Sequence, residues 1–390
     1  MKLLSNKQVK SQVKSLYHEL PKNIVCFSHL RWDFVFQRPQ QLLTRFAQSF
    51  DIFFIEEPIH DTAGQAYYTY LSRGEHLQVL VPHLPSGLNA AETAVQLKAL
   101  FDQFMENKNL ADFAFWYYTP MAMEFSRKYQ PELVIYDCMD ELSAFRFAPE
   151  SLKTIEQELL KKADIVFTGG QSLYEAKKNQ HANIYPFPSS IDKKHFEQAR
   201  QLRRSTAGSQ PTLGFYGVID ERFDIELIRE IANARPEWQI MLIGPVVKID
   251  KATLPQNSNI HYLGSKDYKD LPSYVATWDV ALIPFLLNES TRYISPTKTP
   301  EYLAAGVPVV STPIMDVINP YGKNKMVAIG SNATDFIAAV EQQLDHTAKK
   351  EWLKQVDDFL SQNSWDKTCN RMLSHIRDTV TNRSLTSIAQ

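Results

Sequence analysis

From residue 23 onward an apolar strand, a polar break and a helical stretch follow one another, and after one interruption the same rhythm begins again. IVCFSH (24–29) reads as a strand, QRPQQLLTRFAQSF (37–50) as an amphipathic helix with Pro39 in its first turn, and DIFFIEEP (51–58) as the next strand. Further strands are predicted at LQVLVP (77–82), FAFWYY (113–118), LVIYDC (133–138) and DIVFTGG (164–170). The run QARQLRRSTAGSQP (198–211) is polar and breaks the pattern. It resumes with TLGFYGVID (212–220), IELIREIANARP (225–236), WQIMLIGP (238–245), NIHYLG (259–264), YKDLPSYVATWD (268–279), VALIPF (280–285) and VPVVSTP (307–313). Strands alternating with helices imply mostly parallel sheets covered on both faces. The expected fold class is therefore α/β, with two Rossmann-like domains facing a cleft: an N-terminal domain over 1–200, a C-terminal domain over 201–362 and a last helical segment over 363–390.

The 390 residues are too many for one ordinary core, which agrees with two domains. A formal net charge of −2 gives no reason to expect a nucleic-acid partner. Three widely separated cysteines, Cys26, Cys138 and Cys369, fit no zinc spacing and suit buried thiols in a reducing compartment. No run approaches the roughly 20 apolar residues of a membrane span, so a cytoplasmic protein is expected. In the first twenty residues Leu4, Val9, Val13 and Leu16 share a helical face, with Lys2, Lys7, Lys10 and Lys14 elsewhere. That pattern suits either a solvated or packed leader or a peripheral contact with the inner face of a membrane.

In open α/β sheets ligands bind beyond the carboxyl ends of strands, so the cleft between two such domains is the expected site. The chain has no G-x-G-x-x-G, no Walker A sequence and no G-x-S-x-G elbow, which argues against nicotinamide, P-loop and α/β-hydrolase chemistry. It also lacks a D-x-D triplet, so no metal ligands are proposed, and a diphosphate would be stabilised by Arg, Lys and backbone N–H groups. SPTKTPEYLAAG (295–306) suits such a cradle. Pro296 and Pro300 fit the approach to a helix and its first turn, Gly306 fits the position past its end, and Lys298 stands beside the free N–H groups. Arg222 and Lys298, each after a C-terminal-domain strand, are either diphosphate ligands or solvated charges. Glu301 either accepts hydrogen bonds from a ribose diol or simply complements the helix dipole.

On the N-terminal side the strand-end loops offer Asp33, Asp137, Asp140 and Glu141, with His29 as a neutral alternative. Asp140 is the favoured general base, the competing reading being an N-cap for the LSAF segment. Trp32 with Asp33 could stack on and hydrogen-bond a ligand, or Trp32 could fill the core. Gly169 and Gly170 would admit a ligand closely, or mark a plain turn.

GFYGVIDERFD, IGPV, NIHYLGSKDYKDLPSYVATWDVALIPF and SPTKTPEYLAAGVPVVSTP, together with RWDFVFQRPQQLLTRFA, YDCMDELSAF and FTGGQSLYEAKK, resemble glycosyltransferases of GT-B architecture. The likeness is to the family 1 or family 4-like bacterial enzymes of cell-surface polysaccharide assembly, and it runs from about residue 23 to about residue 375. It implies transfer of a sugar from a nucleotide-sugar donor, a UDP-sugar foremost, to a saccharide or lipid-linked acceptor, with no cofactor. It further implies that Glu301 holds the ribose, and that Lys298 and Arg222 meet the diphosphate. Gly217, Ser295, Thr297 and Tyr293 complete the donor set, and Trp32, Asp33, His29 and Gly170 serve the acceptor. Tyr293 departs from the pattern, because many relatives carry a second glutamate eight residues before the first, and this bears on inversion against retention. The helix at 363–380 is expected to cross back to the N-terminal domain. The alternatives are a non-catalytic GT-B-fold binding protein and a nucleotide-sugar epimerase.

Overall fold

The computed structural model describes residues 20–203, 210–345 and 349–388. The basic, amphipathic leader and the middle of the polar interruption lie outside the described residues.

The first sheet contains β1 (Asn23–Phe27), β2 (Asp51–Ile55), β3 (Ile59–Thr62), β4 (Tyr67–Gly74), β5 (Leu77–Pro85), β6 (Phe113–Tyr117), β7 (Leu133–Cys138), β8 (Ile165–Thr168) and β9 (Ile184–Pro186). Its order is β3-β5-β2-β1-β6-β7-β8-β9, parallel throughout, with β4 added antiparallel to β5. The second sheet contains β10 (Thr212–Tyr216), β11 (Gln239–Ile243), β12 (Ile260–Tyr262), β13 (Val280–Ile283), β14 (Val309–Ser311) and β15 (Val327–Ile329), in the order β12-β11-β10-β13-β14-β15. Every residue of β6, β7 and β13 is buried, as expected of central strands covered on both faces. The strand order reverses beside β1 in one sheet and beside β10 in the other, so each sheet has a crevice at the carboxyl ends of those strands.

The strands at 59–74, β9 and β15 lie outside the strands that the sequence pattern predicts. β3 and β4 are short on apolar alternation and lie at the sheet's exposed margin, and β9 and β15 are three residues each. The helix expected at 268–279 is shorter, because Tyr268–Asp270 forms a tighter turn and Pro272 lies in the first turn of the α-helix Leu271–Val275. Ile191, Phe196 and Ala199 are buried in the second core, so the helix Lys193–Leu202 belongs with the second sheet although most of it lies before residue 200. The helix Trp365–Ile388 returns to the first core, where Trp365, Cys369, Met372, Ile376 and Val380 are buried at helical spacing.

Direct contacts join the two halves. The Asp316 carboxylate accepts hydrogen bonds from the backbone N–H groups of Gln171 and Ser172, both at 2.9 Å. Ser189 Oγ donates to the Ser295 carbonyl at 2.9 Å, and Gln41 Nε2 donates to the Tyr268 hydroxyl at 3.1 Å.

Gly214 in β10 lies under the Trp278 ring, and a Cβ there would sit 1.9 Å from the indole. Trp278 is fully buried, so the ring has no free direction in which to retreat. Gly214→Ala is expected to destabilise the second half by about 1–3 kcal/mol, read as a fall of several degrees in Tm. An unchanged melting profile would show that the contact relaxes freely.

Candidate active-site cleft

A cleft of about 600 Å³ opens between the carboxyl ends of the two sheets. Its second-sheet wall is made by the loops after β10, β11, β12 and β13. Gly217 has φ of +144°, a conformation that side chains rarely adopt, and a Cβ there would meet Lys298 Cε at 2.2 Å. The glycine therefore makes room for the lysine. Lys298 begins the helix Lys298–Ala304, and its ammonium lies 5.6 Å from the Phe215 ring centroid and 5.7 Å from that of Phe285. Gly306, at φ +70°, follows the end of this helix, as its sequence position predicts. Ser295 and Thr297 border the cleft on the approach to the helix.

Arg222 is held by Asp220, two residues earlier. Its Nη2 reaches Asp220 Oδ2 at 2.7 Å and its Nε reaches Oδ1 at 3.0 Å. The guanidinium also lies 5.1 Å from the Phe145 ring centroid of the first half. Pairing with Asp220 raises the Arg222 pKa against the effect of burial.

Glu301 is 6% exposed and borders the cleft, and the Tyr216 phenol donates a hydrogen bond to its Oε2. Burial pushes the carboxyl above its ordinary range, while the Tyr216 hydrogen bond and Lys298 oppose that shift. The same burial pushes the Lys298 amine below its ordinary range, and Glu301 opposes it. An incoming diphosphate would supply the counter-charge that favours the ammonium.

On the first-sheet wall Asp140 faces the cleft. Burial raises its pKa to about 6, with Arg222, Arg38 and Lys298 acting in the opposite direction. It does not cap the turn Leu142–Ala144. Glu141 occupies that position and pairs with Lys177 at 2.8 Å. Lys177 also holds Glu156 at 2.9 Å, so a buried ion cluster anchors the loop that presents Asp140.

Several expected residues are placed otherwise. Asp137 is fully buried and paired with Arg38, Nη2 to Oδ1 at 2.8 Å and Nε to Oδ2 at 3.2 Å, so neither is free for chemistry. Trp32 borders the cleft but is only 8% exposed, with its ring edge-on to Phe54 at 5.0 Å, so it serves as core more than as a stacking platform. Asp33 does border the cleft, with its carboxylate engaged by Arg73 at 3.1 Å. His29 does not line the cleft; burial, more than the nearby Lys248, lowers its pKa to about 4. Gly170 also lies off the cleft, and its missing side chain admits Asp316, whose Oδ2 would be 2.2 Å from a Cβ there. Gly169 borders the cleft, but a Cβ there would meet the Met139 carbonyl at 2.3 Å, so close loop packing already requires it. Tyr293 packs against the first core instead of the cleft. Among the described residues no group of three or more His, Cys, Asp or Glu side chains is placed to hold a metal ion.

Residues 210–346 match the family described as glycosyl transferases group 1. The chain is 25% identical over 273 residues to TuaH of Bacillus subtilis strain 168, provisionally assigned as a teichuronic acid biosynthesis glycosyltransferase, spanning 64% of this chain and 68% of that protein. Sucrose-phosphate synthase from Thermosynechococcus elongatus superposes with a TM-score of 0.70 at 14% identity, over 92% of this chain and 98% of that one. HepE of Anabaena, in complex with UDP and glucose, does so with a TM-score of 0.63 at 12% identity, over 90% and 98%. The chain has the GT-B glycosyltransferase fold.

In this GT-B chain the side chains that sequence reasoning missed are Tyr216, Asp220 and Asp316. Asp220 had a local signal, since it stands two residues from Arg222 at the same strand end. Tyr216 and Asp316 meet partners more than 80 residues away, and nothing in their own neighbourhood marks them. Gly217→Ala is expected to displace Lys298 and lower turnover about 10²-fold, as loss of one transition-state charge contact does. Wild-type rates in this variant would show that the Lys298 position is not needed.

Proposed function

We propose that this chain is a metal-independent transferase that moves a sugar from a UDP-sugar to a saccharide or lipid-linked acceptor in the assembly of cell-surface polysaccharide. It would act in the cytoplasm, with a peripheral contact at the inner face of the membrane. The observation that carries this reading is the convergence of Lys298, Arg222 and Glu301 on one wall of the cleft with Asp140 on the other. The likeness to TuaH supports the polysaccharide context, and a UDP complex of a protein with the same fold supports the donor class. No helix among the described residues is long and apolar enough to cross a membrane.

In the proposed reaction an acceptor hydroxyl oxygen bonds to the anomeric carbon as that carbon's bond to the diphosphate oxygen breaks. Negative charge grows on the departing diphosphate, where Lys298 and Arg222 stabilise it. Glu301 holds the ribose. In the inverting route the hydroxyl proton passes to Asp140, whose raised pKa suits a base working near neutrality. Retention is the second reading. A trehalose-6-phosphate synthase with the same fold has been studied for transfer with retention. Asp140 would then orient the acceptor, and the proton would pass to the leaving phosphate.

The donor test is a thermal-shift screen against UDP, GDP, ADP, CMP and dTDP. UDP at 100 times its Kd should stabilise the protein by about 2.7 kcal/mol. Glu301→Ala is expected to raise the donor KM about tenfold with the fold intact; unchanged kinetics would remove Glu301 from the site. Because the active base is the ionised form, kcat/KM should rise with pH through about 6, the value to which burial holds Asp140. Asp140→Asn should abolish both the activity and that limb, whereas near-normal activity would favour retention.

A further inference from the structure

Tyr216 closes β10 and is fastened to the helix Lys298–Ala304 at two points. Its backbone N–H donates to the Tyr302 hydroxyl at 3.0 Å, and its own phenol donates to Glu301 Oε2. The ring is 7% exposed. It lies nearly parallel to Phe196 at 6.2 Å and edge-on to Tyr302 at 4.9 Å, so packing fixes where the phenol oxygen sits. The second carboxylate oxygen, Oε1, has no hydrogen bond to another described residue, and Glu301 borders the cleft. A phenylalanine would fill the same space. Burying a carboxylate costs far more than burying a phenol, so the hydrogen bond serves the glutamate first.

We propose that Tyr216 is the positioning residue for donor recognition, turning the Glu301 carboxylate so that Oε2 is occupied and Oε1 is presented to the ribose diol of the nucleotide. This rests on the reading of Glu301 as the ribose ligand. The phenol also helps to keep the carboxylate charged. The groups that face Glu301 are Tyr216 from β10, Lys298 and Tyr302 from its own helix, Asp192 ahead of the helix Lys193–Leu202, and Tyr268 from the loop after β12. Tyr216 and Lys298 favour the ionised form, whereas burial and Asp192 oppose it. Without the phenol the carboxyl takes up a proton more readily. Ribose recognition in the variant is therefore lost on the acidic side and returns as pH rises.

The test is calorimetric titration of the full chain with UDP and with 2′-deoxy-UDP, at neutral and at mildly alkaline pH. Wild-type protein is expected to prefer UDP about tenfold, the worth of one charged hydrogen bond. Tyr216→Phe should lose most of that preference at neutral pH, bind 2′-deoxy-UDP almost as before, and regain much of the preference at alkaline pH. A preference that survives Tyr216→Phe but not Glu301→Gln would overturn the role of Tyr216 alone. Equal weakening of both nucleotides at every pH would mean a merely structural tyrosine, which overturns it too. If Glu301→Gln keeps the preference, the ribose reading of Glu301 fails beneath it. Absence of UDP binding by the wild-type protein removes the donor site and the proposal together.

Discussion

A buried glutamate one helical turn from a half-buried lysine, with a tyrosine hydroxyl donating to the carboxylate, is the constraint on which the second-sheet wall depends. Burial works against the charge of both Lys298 and Glu301, and each opposes that effect on the other. The surrounding backbone follows from that pair. Gly217 leaves space for the lysine chain, β10 ends at Tyr216 to reach the carboxylate, and Phe215 and Phe285 face the ammonium. A diphosphate arriving in the cleft would meet a preformed cation, so little reorganisation would be needed on binding.

The wall is useful only because the second sheet faces the first. The strand orders reverse beside β1 and β10, and the returning helix at Trp365–Ile388 fixes the end of the chain in the first core. Asp316 reaches across to the backbone at Gln171 and Ser172, and Gln41 to Tyr268. Arg222 belongs to one wall by sequence and to both by contact, since Asp220 orients it while Phe145 of the opposite half lies beneath it.

The alternating strands and helices, the cleft and the segment around Lys298 were legible in the sequence because each rests on local information. Strand period, proline at a helix approach and glycine past its end act over a few residues. The position of Asp140 at the cleft was legible for the same reason, as a carboxylate just beyond a strand. The rest depends on distant partners. Asp137 looked as available as Asp140 until Arg38, 99 residues earlier in the chain, was seen to occupy it. Gly170 looked like a ligand approach, but the group that approaches is the Asp316 carboxylate, 146 positions later by the numbering. Trp32 resembled a sugar platform in sequence, yet β2 offers Phe54 to its ring. The polar margin at β3 and β4 was missed because an edge pairing needs no buried face.

In the proposed reading one cleft carries the donor, with its diphosphate between Lys298 and Arg222 and its ribose on Glu301. The most direct measurement is a crystal structure of the protein grown with UDP. The account predicts diphosphate density within hydrogen-bond distance of Lys298 and Arg222, with the ribose hydroxyls on the free oxygen of Glu301. UDP bound elsewhere, or bound in this cleft with its ribose turned away from Glu301, would contradict it.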